Sequence, residues 1–101
     1  MKREKKIRLA HPGELLAQEF LKPNDLSVYR VAKDSGIGQP TLQMIVSGKR
    51  SITAETAIRL GLYFGIDAQF WLNLQNEYDL RLTGEQKLSQ ILKEVHPLKA
   101  A

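Results

Sequence analysis

Residues 26–50 of this 101-residue chain are LSVYRVAKDSGIGQPTLQMIVSGKR, a pattern typical of a helix-turn-helix. Ser27 is placed to cap the first helix of the motif. Two helices that cross steeply through a short turn must approach closely, and the small residues Ala32 and Gly36 permit that approach. The segment therefore predicts two short helices joined by a tight turn.

The second helix of the motif is predicted over residues 39–47. Leu42, Ile45 and Val46 fall on one face at helical spacing, and Gly48 follows as a C-cap. Helix-turn-helix proteins lay this helix in the major groove, where its first residues meet base edges while nearby cations meet phosphates. Glutamine can pair with adenine, and methionine or threonine can contact a thymine methyl group. The predicted DNA-contacting residues are Gln39, Pro40, Thr41, Gln43, Met44, Ser47, Lys49 and Arg50.

The outer face of the second helix also allows two interpretations without DNA. An ordinary helical hairpin would leave the same face in contact with water. Pro40 and Met44 offer no strong hydrogen bond to a base edge, so a protein-interaction module with this fold that does not bind DNA also stays open. We favour DNA binding because glutamines, a threonine and two basic residues surround these positions.

Residues 15–70 resemble a phage-repressor (Cro/C1) helix-turn-helix domain, and three strings around the motif narrow the resemblance. They are HPGELL at 11–16, GKRSIT at 48–53 and WLNLQNEYDL at 71–80. In this order they resemble the HigA antitoxins, also called virulence-associated protein I, over residues 12–80.

This resemblance implies an all-α, five- to six-helix Cro/C1 repressor-like domain with a C-terminal helical extension. It also implies a sequence-specific DNA-binding antitoxin of a type II toxin–antitoxin pair. Such a protein represses its own operon and neutralises an mRNA-cleaving endoribonuclease toxin; a transcriptional regulator without a toxin is the alternative. Val28, Pro40 and Met44 depart from the polar residues that members of the family often carry, which predicts base readout poor in hydrogen bonds.

Helix signals flank the motif on both sides. Pro12 is placed as the first residue of an N-terminal helix, which Pro23 ends. Thr53 is placed to cap a fourth helix that Gly65 ends, and Asp67 to cap a fifth. The apolar stripes of these three helices are Leu15, Leu16 and Phe20; then Ala57, Leu60, Gly61 and Phe64; then Phe70, Trp71, Leu74 and Tyr78.

A separate sixth helix and a homodimer are also predicted. Thr83 and Gln86 have the spacing of a capping box, and Pro97 would end the sixth helix. Six short helices supply more apolar side chains than one small core needs. The stripes of helix five and helix six are therefore expected to pack on the core within the monomer, across a dimer seam, or in both ways; Trp71 fits core or seam. A dimer matches an inverted-repeat operator with half-sites about 34 Å apart. The stripe of helix six is Leu88, Ile91, Leu92 and Val95.

The composition is that of one small domain. We expect a basic tail (1–11), the helix-turn-helix domain (12–80) and a C-terminal helix and tail (81–101). There is no apolar run of membrane-spanning length and no signal-peptide pattern, so we expect a soluble, cytoplasmic protein without a membrane partner. The absence of cysteine excludes a disulfide framework.

The formal net charge of +4 is concentrated at the N-terminus, where the first eight residues hold five basic side chains and one acidic one. This tail is either an arm that contacts nucleic acid or an acidic partner, or a solubilising terminus. The helix-turn-helix region is locally positive, and screening over about 10 Å makes local charge the relevant quantity. Its charged residues are Arg30, Lys33, Lys49, Arg50 and Arg59 against Asp34 and Glu55.

No catalytic or metal-binding constellation is visible in the sequence. His11 and His96 lie at opposite ends of the chain, and there is no cysteine nucleophile. No glycine-rich phosphate loop follows a predicted strand. We therefore expect a protein that is not an enzyme and that needs neither cofactor nor metal.

Overall fold

The structure, a computed structural model, describes residues 9–99. Within this range it contains five helices and no strand, which confirms the all-α prediction; residues 1–8 of the predicted basic tail lie outside the described range. The first helix, Pro12–Leu15, continues directly as a π-helical segment (Leu16–Leu21). The helices are α1 (Pro12–Leu15), α2 (Val28–Ser35), α3 (Gln39–Val46), α4 (Ala54–Phe64) and α5 (Ala68–Glu94).

The predicted side-chain caps are confirmed at the starts of α2, α4 and α5. Ser27 Oγ accepts a hydrogen bond from the N–H of Arg30 at 3.0 Å, and Thr53 Oγ1 accepts one from Thr56 at 3.3 Å. Asp67 Oδ1 accepts one from the N–H of Gln69 at 3.1 Å. Such caps satisfy N–H groups that have no partner within the helix, so the short sequence signals set where these helices begin.

The π-helical segment is a feature that the sequence pattern did not predict. The N–H of Lys22 bonds to the carbonyl of Ala17, five residues back, at 3.0 Å. Phe20 lies in this segment and packs on Phe64 and Trp71, with ring centroids 5.2 and 4.8 Å apart. The chain then turns after Pro23, as predicted.

The core lies between the helix-turn-helix and the first half of α5. Trp71 is completely buried, so it belongs to the core of the protomer. The other largest fully buried side chains are Leu16, Leu42, Ile45, Leu60 and Val31. The buried residues of α2 and the apolar faces predicted for α3 and α4 thus contribute to one core, and α5 packs most extensively on α4.

Two glycines permit the closest backbone approaches between helices and turns. A Cβ on Gly13 would lie 1.7 Å from the carbonyl oxygen of Ile45, so α1 sits directly on α3. A Cβ on Gly61 would lie 2.5 Å from the carbonyl oxygen of Ile66. Ala32 is buried as predicted, whereas Gly36 ends α2 in the left-handed region with a φ of 78°.

The prediction of a separate sixth helix is wrong. Helix α5 runs for 27 residues through Thr83 and Gln86, a length of about 40 Å. A capping-box pattern is local and fits a helix interior equally well when no proline interrupts the chain. The predicted C-terminal part, 81–101, therefore begins inside α5. None of the helices in residues 9–99 is both long and apolar enough to cross a membrane.

Candidate nucleic-acid interface

Helix α3 presents one face to the core and the other to solvent. Leu42 and Ile45 are fully buried, and Val46 packs at the edge of the core. On the opposite side Thr41 is half-buried, while the other predicted contact residues are exposed. These exposed residues are Gln39, Pro40, Gln43, Met44 and Ser47.

The start of α3 is open to an anion. Gly38 is the N-cap residue and has no side chain that could accept a hydrogen bond, and Pro40 has no N–H. No side chain in the described residues caps this helix. The backbone N–H groups of the first turn therefore point outward, where a phosphate can accept from them.

A basic turn, residues 47–51, follows α3. Gly48 adopts a φ of 81°, which lets the N–H of Lys49 bond back to the carbonyl of Met44 at 2.8 Å. Arg50 Nη1 lies 3.5 Å from Thr41 Oγ1. The fold thus brings Arg50 next to the first turn of α3. The hydroxyl of Ser47 donates to the carbonyl of Met44 at 3.2 Å, which leaves its oxygen as an acceptor.

Ion pairs reduce the positive charge of the helix-turn-helix region. Arg30 pairs with Asp34 at 2.6 Å, and Arg59 pairs with Glu55 at 3.0 Å. Arg59 also donates to the carbonyl of Ser35 at 3.2 Å, so it ties α4 to the end of α2. In residues 9–99 the remaining cations of this region, with no ion pair inside that range, are Lys33, Lys49 and Arg50.

Two residues outside the predicted DNA-contacting set lie behind the basic turn. The side-chain carbonyl of Gln75 accepts from the N–H of Ile52 at 2.8 Å. His11 lies below Gly48, where an added Cβ would be 3.8 Å from the imidazole carbon Cγ. The one sequence signal for Gln75 is its place four residues after Trp71, on the core-facing side of α5.

Comparison with known proteins adds a family to this geometry. The helix-turn-helix family matches residues 18–71. The chain is 48% identical over 79 residues to virulence-associated protein I of Dichelobacter nodosus, which covers 78% of this chain and 73% of that protein. It is 33% identical over 96 residues to antitoxin HigA-1 of Vibrio cholerae, covering 95% and 90% of the two chains. A solved structure, "Pseudomonas aeruginosa antitoxin HigA with higBA promoter", superposes with a TM-score of 0.87 at 44% identity, covering 91% of this chain and 100% of that one.

The chain belongs to the HigA antitoxin family. This confirms the resemblance deduced from the three strings and from the Cro/C1-like motif. Proteins of this family are DNA-binding antitoxins and regulators and are not enzymes.

His11 links three parts of this HigA-type fold. Its Nδ1 accepts from the N–H of Gly13 at 2.9 Å, so the imidazole caps α1. Its ring also meets the ring of Tyr78 on α5 edge-on, with centroids 4.9 Å apart. Burial lowers the pKa of His11 below its ordinary value of 6.5, although the charges of Asp79 and Glu14 oppose the shift.

The lowered pKa of His11 predicts a loss of stability in mild acid. Because the unfolded chain takes up a proton on His11 at a higher pH than the folded chain does, this contribution is complete above about pH 6.5. It should be lost as the pH falls from there through the lowered folded-state pKa. Melting temperatures between pH 7.5 and 5 would show the fall, above most carboxylate titration.

Two variants separate His11 from other titrating groups. His11→Asn keeps a capping side chain without a proton to gain, so its melting temperature should vary much less over this range. His96→Asn, at an exposed position beyond α5, should retain the fall. An equal fall in His11→Asn and in the unchanged protein would contradict the assignment.

Proposed function

We propose that this protein is a HigA-type antitoxin that binds its own promoter as a homodimer and neutralises a cognate toxin. The observation that carries the DNA-binding part is the uncapped start of α3, with Thr41 and Arg50 side by side. Gln39 and Gln43 would contact bases, while Lys49 and Arg50 would contact phosphates. Met44 and Pro40 would add apolar contact in the groove.

The operator is proposed to be an inverted repeat, because a two-fold dimer presents two copies of α3 to two half-sites. The similar solved structure holds the Pseudomonas aeruginosa antitoxin HigA with the higBA promoter, which supports promoter binding by this chain. Such binding would repress the operon from which the protein itself is expressed, in the cytoplasm.

The second half of α5 is the proposed dimer seam. Leu88 and Ile91 share one face at helical spacing, Val95 follows as the C-cap residue, and all three are exposed in the protomer. The alternative seam, around Phe70 and Leu74, has less apolar surface free for a partner, because both side chains already pack within the protomer. Leu74 packs at the edge of the core, and the ring of Phe70 meets that of Trp71 edge-on, with centroids 5.2 Å apart.

The toxin is proposed to be an mRNA-cleaving endoribonuclease, as the HigA resemblance implies. A toxin that binds RNA would present a basic surface, so acidic side chains outside the DNA interface are its proposed contacts. This makes the DNA-contacting and toxin-contacting surfaces separate. The acidic candidates are Glu14, Glu19, Asp25, Glu77, Asp79 and Glu94.

A triple variant tests both activities at once. Gln39→Ala/Gln43→Ala/Lys49→Ala should lose its preference for promoter DNA over scrambled DNA, by about 1–3 kcal/mol for each bidentate pairing with a base that the variant cannot make. Co-expressed with the toxin, the same variant should still rescue growth. Fluorescence anisotropy at physiological salt measures the first result, and a plate assay measures the second.

A charge-matched control is Lys22→Ala, at an exposed position after the π-helical segment and outside the proposed DNA interface and dimer seam, which should keep both activities. If the unchanged protein shows no preference for its promoter, the protein-interaction module without DNA binding is the better description. A triple variant that folds normally by circular dichroism but fails to rescue growth would mean that the two surfaces overlap.

A further inference from the structure

Gln75 is a buried polar side chain with both ends of its amide in use. It is 3% exposed, although it lies on a helix whose polar residues otherwise face water. Its Oε1 accepts from the N–H of Ile52 at 2.8 Å, and its Nε2 donates to Asp79 Oδ1 at 3.0 Å. The first bond joins residues 23 positions apart, so it fixes tertiary rather than local structure.

We propose that Gln75 is a positioning residue that holds the basic turn, and with it Lys49 and Arg50, in the place where they meet DNA phosphates. The proposal rests on the DNA-binding function proposed above. Gln75 itself touches neither cation; it acts through the backbone of Ile52.

The basic turn is attached at two ends. Its N-terminal end is fixed to α3 by the N–H groups of Gly48 and Lys49, which donate to Ile45 and Met44 at 3.0 and 2.8 Å. Just past its C-terminal end, Ile52 is buried, and the N–H of Ile52 donates to the Gln75 oxygen. A buried N–H without an acceptor is costly, so removing that oxygen would favour conformations in which the turn leaves α5.

Asp79 decides which way the Gln75 amide points. A carboxylate only accepts hydrogen bonds, so it takes the NH₂ end of the amide and directs the oxygen toward Ile52. Asp79 therefore orients the Gln75 amide, and Gln75 in turn joins α5 to Ile52, directly after the basic turn. A glutamate at position 75 would lose the donor and would bring two carboxylates together.

This orientation allows a test by exchange of donor and acceptor. Gln75→Glu should loosen the turn, and adding Asp79→Asn should restore it, because the carboxylate at position 75 can then accept from both Ile52 and the new amide. Gln75→Leu removes both hydrogen bonds. Gln69→Leu is the control, since it removes a similar glutamine hydrogen bond, 3.0 Å to Asn73, from the exposed side of the same helix.

Two measurements on each variant report whether the basic turn is held in place. Amide hydrogen exchange at Ile52, without DNA, should accelerate about ten-fold or more in Gln75→Leu relative to the core amide of Leu60, because the exchange rate reports local opening. The slope of log affinity against log salt should flatten by about one to two in the same variant, since each phosphate that is no longer neutralised lowers the slope by about 0.9. Gln69→Leu and Gln75→Glu/Asp79→Asn should match the unchanged protein in both.

The outcomes separate this proposal from the proposed function. If Gln75→Leu is folded and keeps the salt slope of the unchanged protein, the positioning role is overturned, whatever its melting temperature. If Gln75→Leu does not fold, Gln75→Glu must lose the slope and the double variant must regain it; failure of that rescue overturns the role. A missing preference for promoter DNA would appear in the unchanged protein and would count against the proposed function alone, because exchange and slope need no specific sequence.

Discussion

Replacing Leu88 and Ile91 together by glutamine should make the protein a monomer at micromolar concentration and weaken operator binding by about 10²–10⁴-fold, the range by which linking two binding modules raises affinity. Binding to scrambled DNA should change far less, because phosphate contacts within each protomer are kept and glutamine adds no charge. Sedimentation velocity measures the oligomeric state, and anisotropy titrations with both DNAs measure the affinities.

We expect a large effect on dimerisation because the end of α5 is not packed against the rest of its own protomer. Leu88 and Ile91 are 51% and 37% exposed, and every described residue from position 85 onward is exposed. The exposed end of α5, residues 85–94, is a short helical segment, and such a segment is only marginally stable in water unless its apolar stripe packs against another surface. A second copy is the proposed partner because DNA binding to an inverted repeat needs the same two-fold pairing.

A second exposed apolar residue provides the control. Leu62 on α4 is 81% exposed and lies outside the proposed seam. Leu62→Gln should therefore leave both the dimer and the operator affinity unchanged. If Leu62→Gln dissociates the dimer and the α5 variant does not, the seam lies on α4.

The features that the sequence predicted well are local ones. Ser27, Thr53 and Asp67 each cap a helix within three residues of their own position, so the pattern that predicts the cap contains both partners. The exposed face of α3 was predictable for the same reason, because helical spacing alone separates Leu42 and Ile45 from Gln43 and its neighbours.

The features that the sequence did not predict depend on distant partners. Gln75 looks like a surface residue until Ile52, far away in the chain, is placed beside it. The helix break expected at Thr83 is wrong for a different reason. The capping pattern there is local, but the helix continues through it. Gly13 was interpreted only as part of an N-terminal string, although its true role is contact with α3.

Gly13→Ala should be strongly destabilising, by about 3 kcal/mol, the upper part of the range for overpacked cores. The added methyl group would lie 1.7 Å from the carbonyl oxygen and 2.5 Å from the carbonyl carbon of Ile45. These are backbone atoms of α3 and cannot rotate away as a side chain would. Helix α1 must therefore move off α3, which would lower the melting temperature by about 12–24 °C for a chain of this size.

Gly84→Ala is the matched control, with the opposite expected sign. Gly84 lies inside α5 and nothing would lie within 4 Å of an added Cβ. Because alanine favours helix more than glycine does, this variant should gain about 0.5–1 kcal/mol. Both variants are best compared in the Leu88→Gln/Ile91→Gln background, since dimerisation would otherwise contribute to the measured stability. Equal stability of the two alanine variants in urea unfolding would contradict the direct packing of α1 on α3. That packing is the reason why the methyl group of Gly13→Ala should destabilise the fold while that of Gly84→Ala should stabilise it.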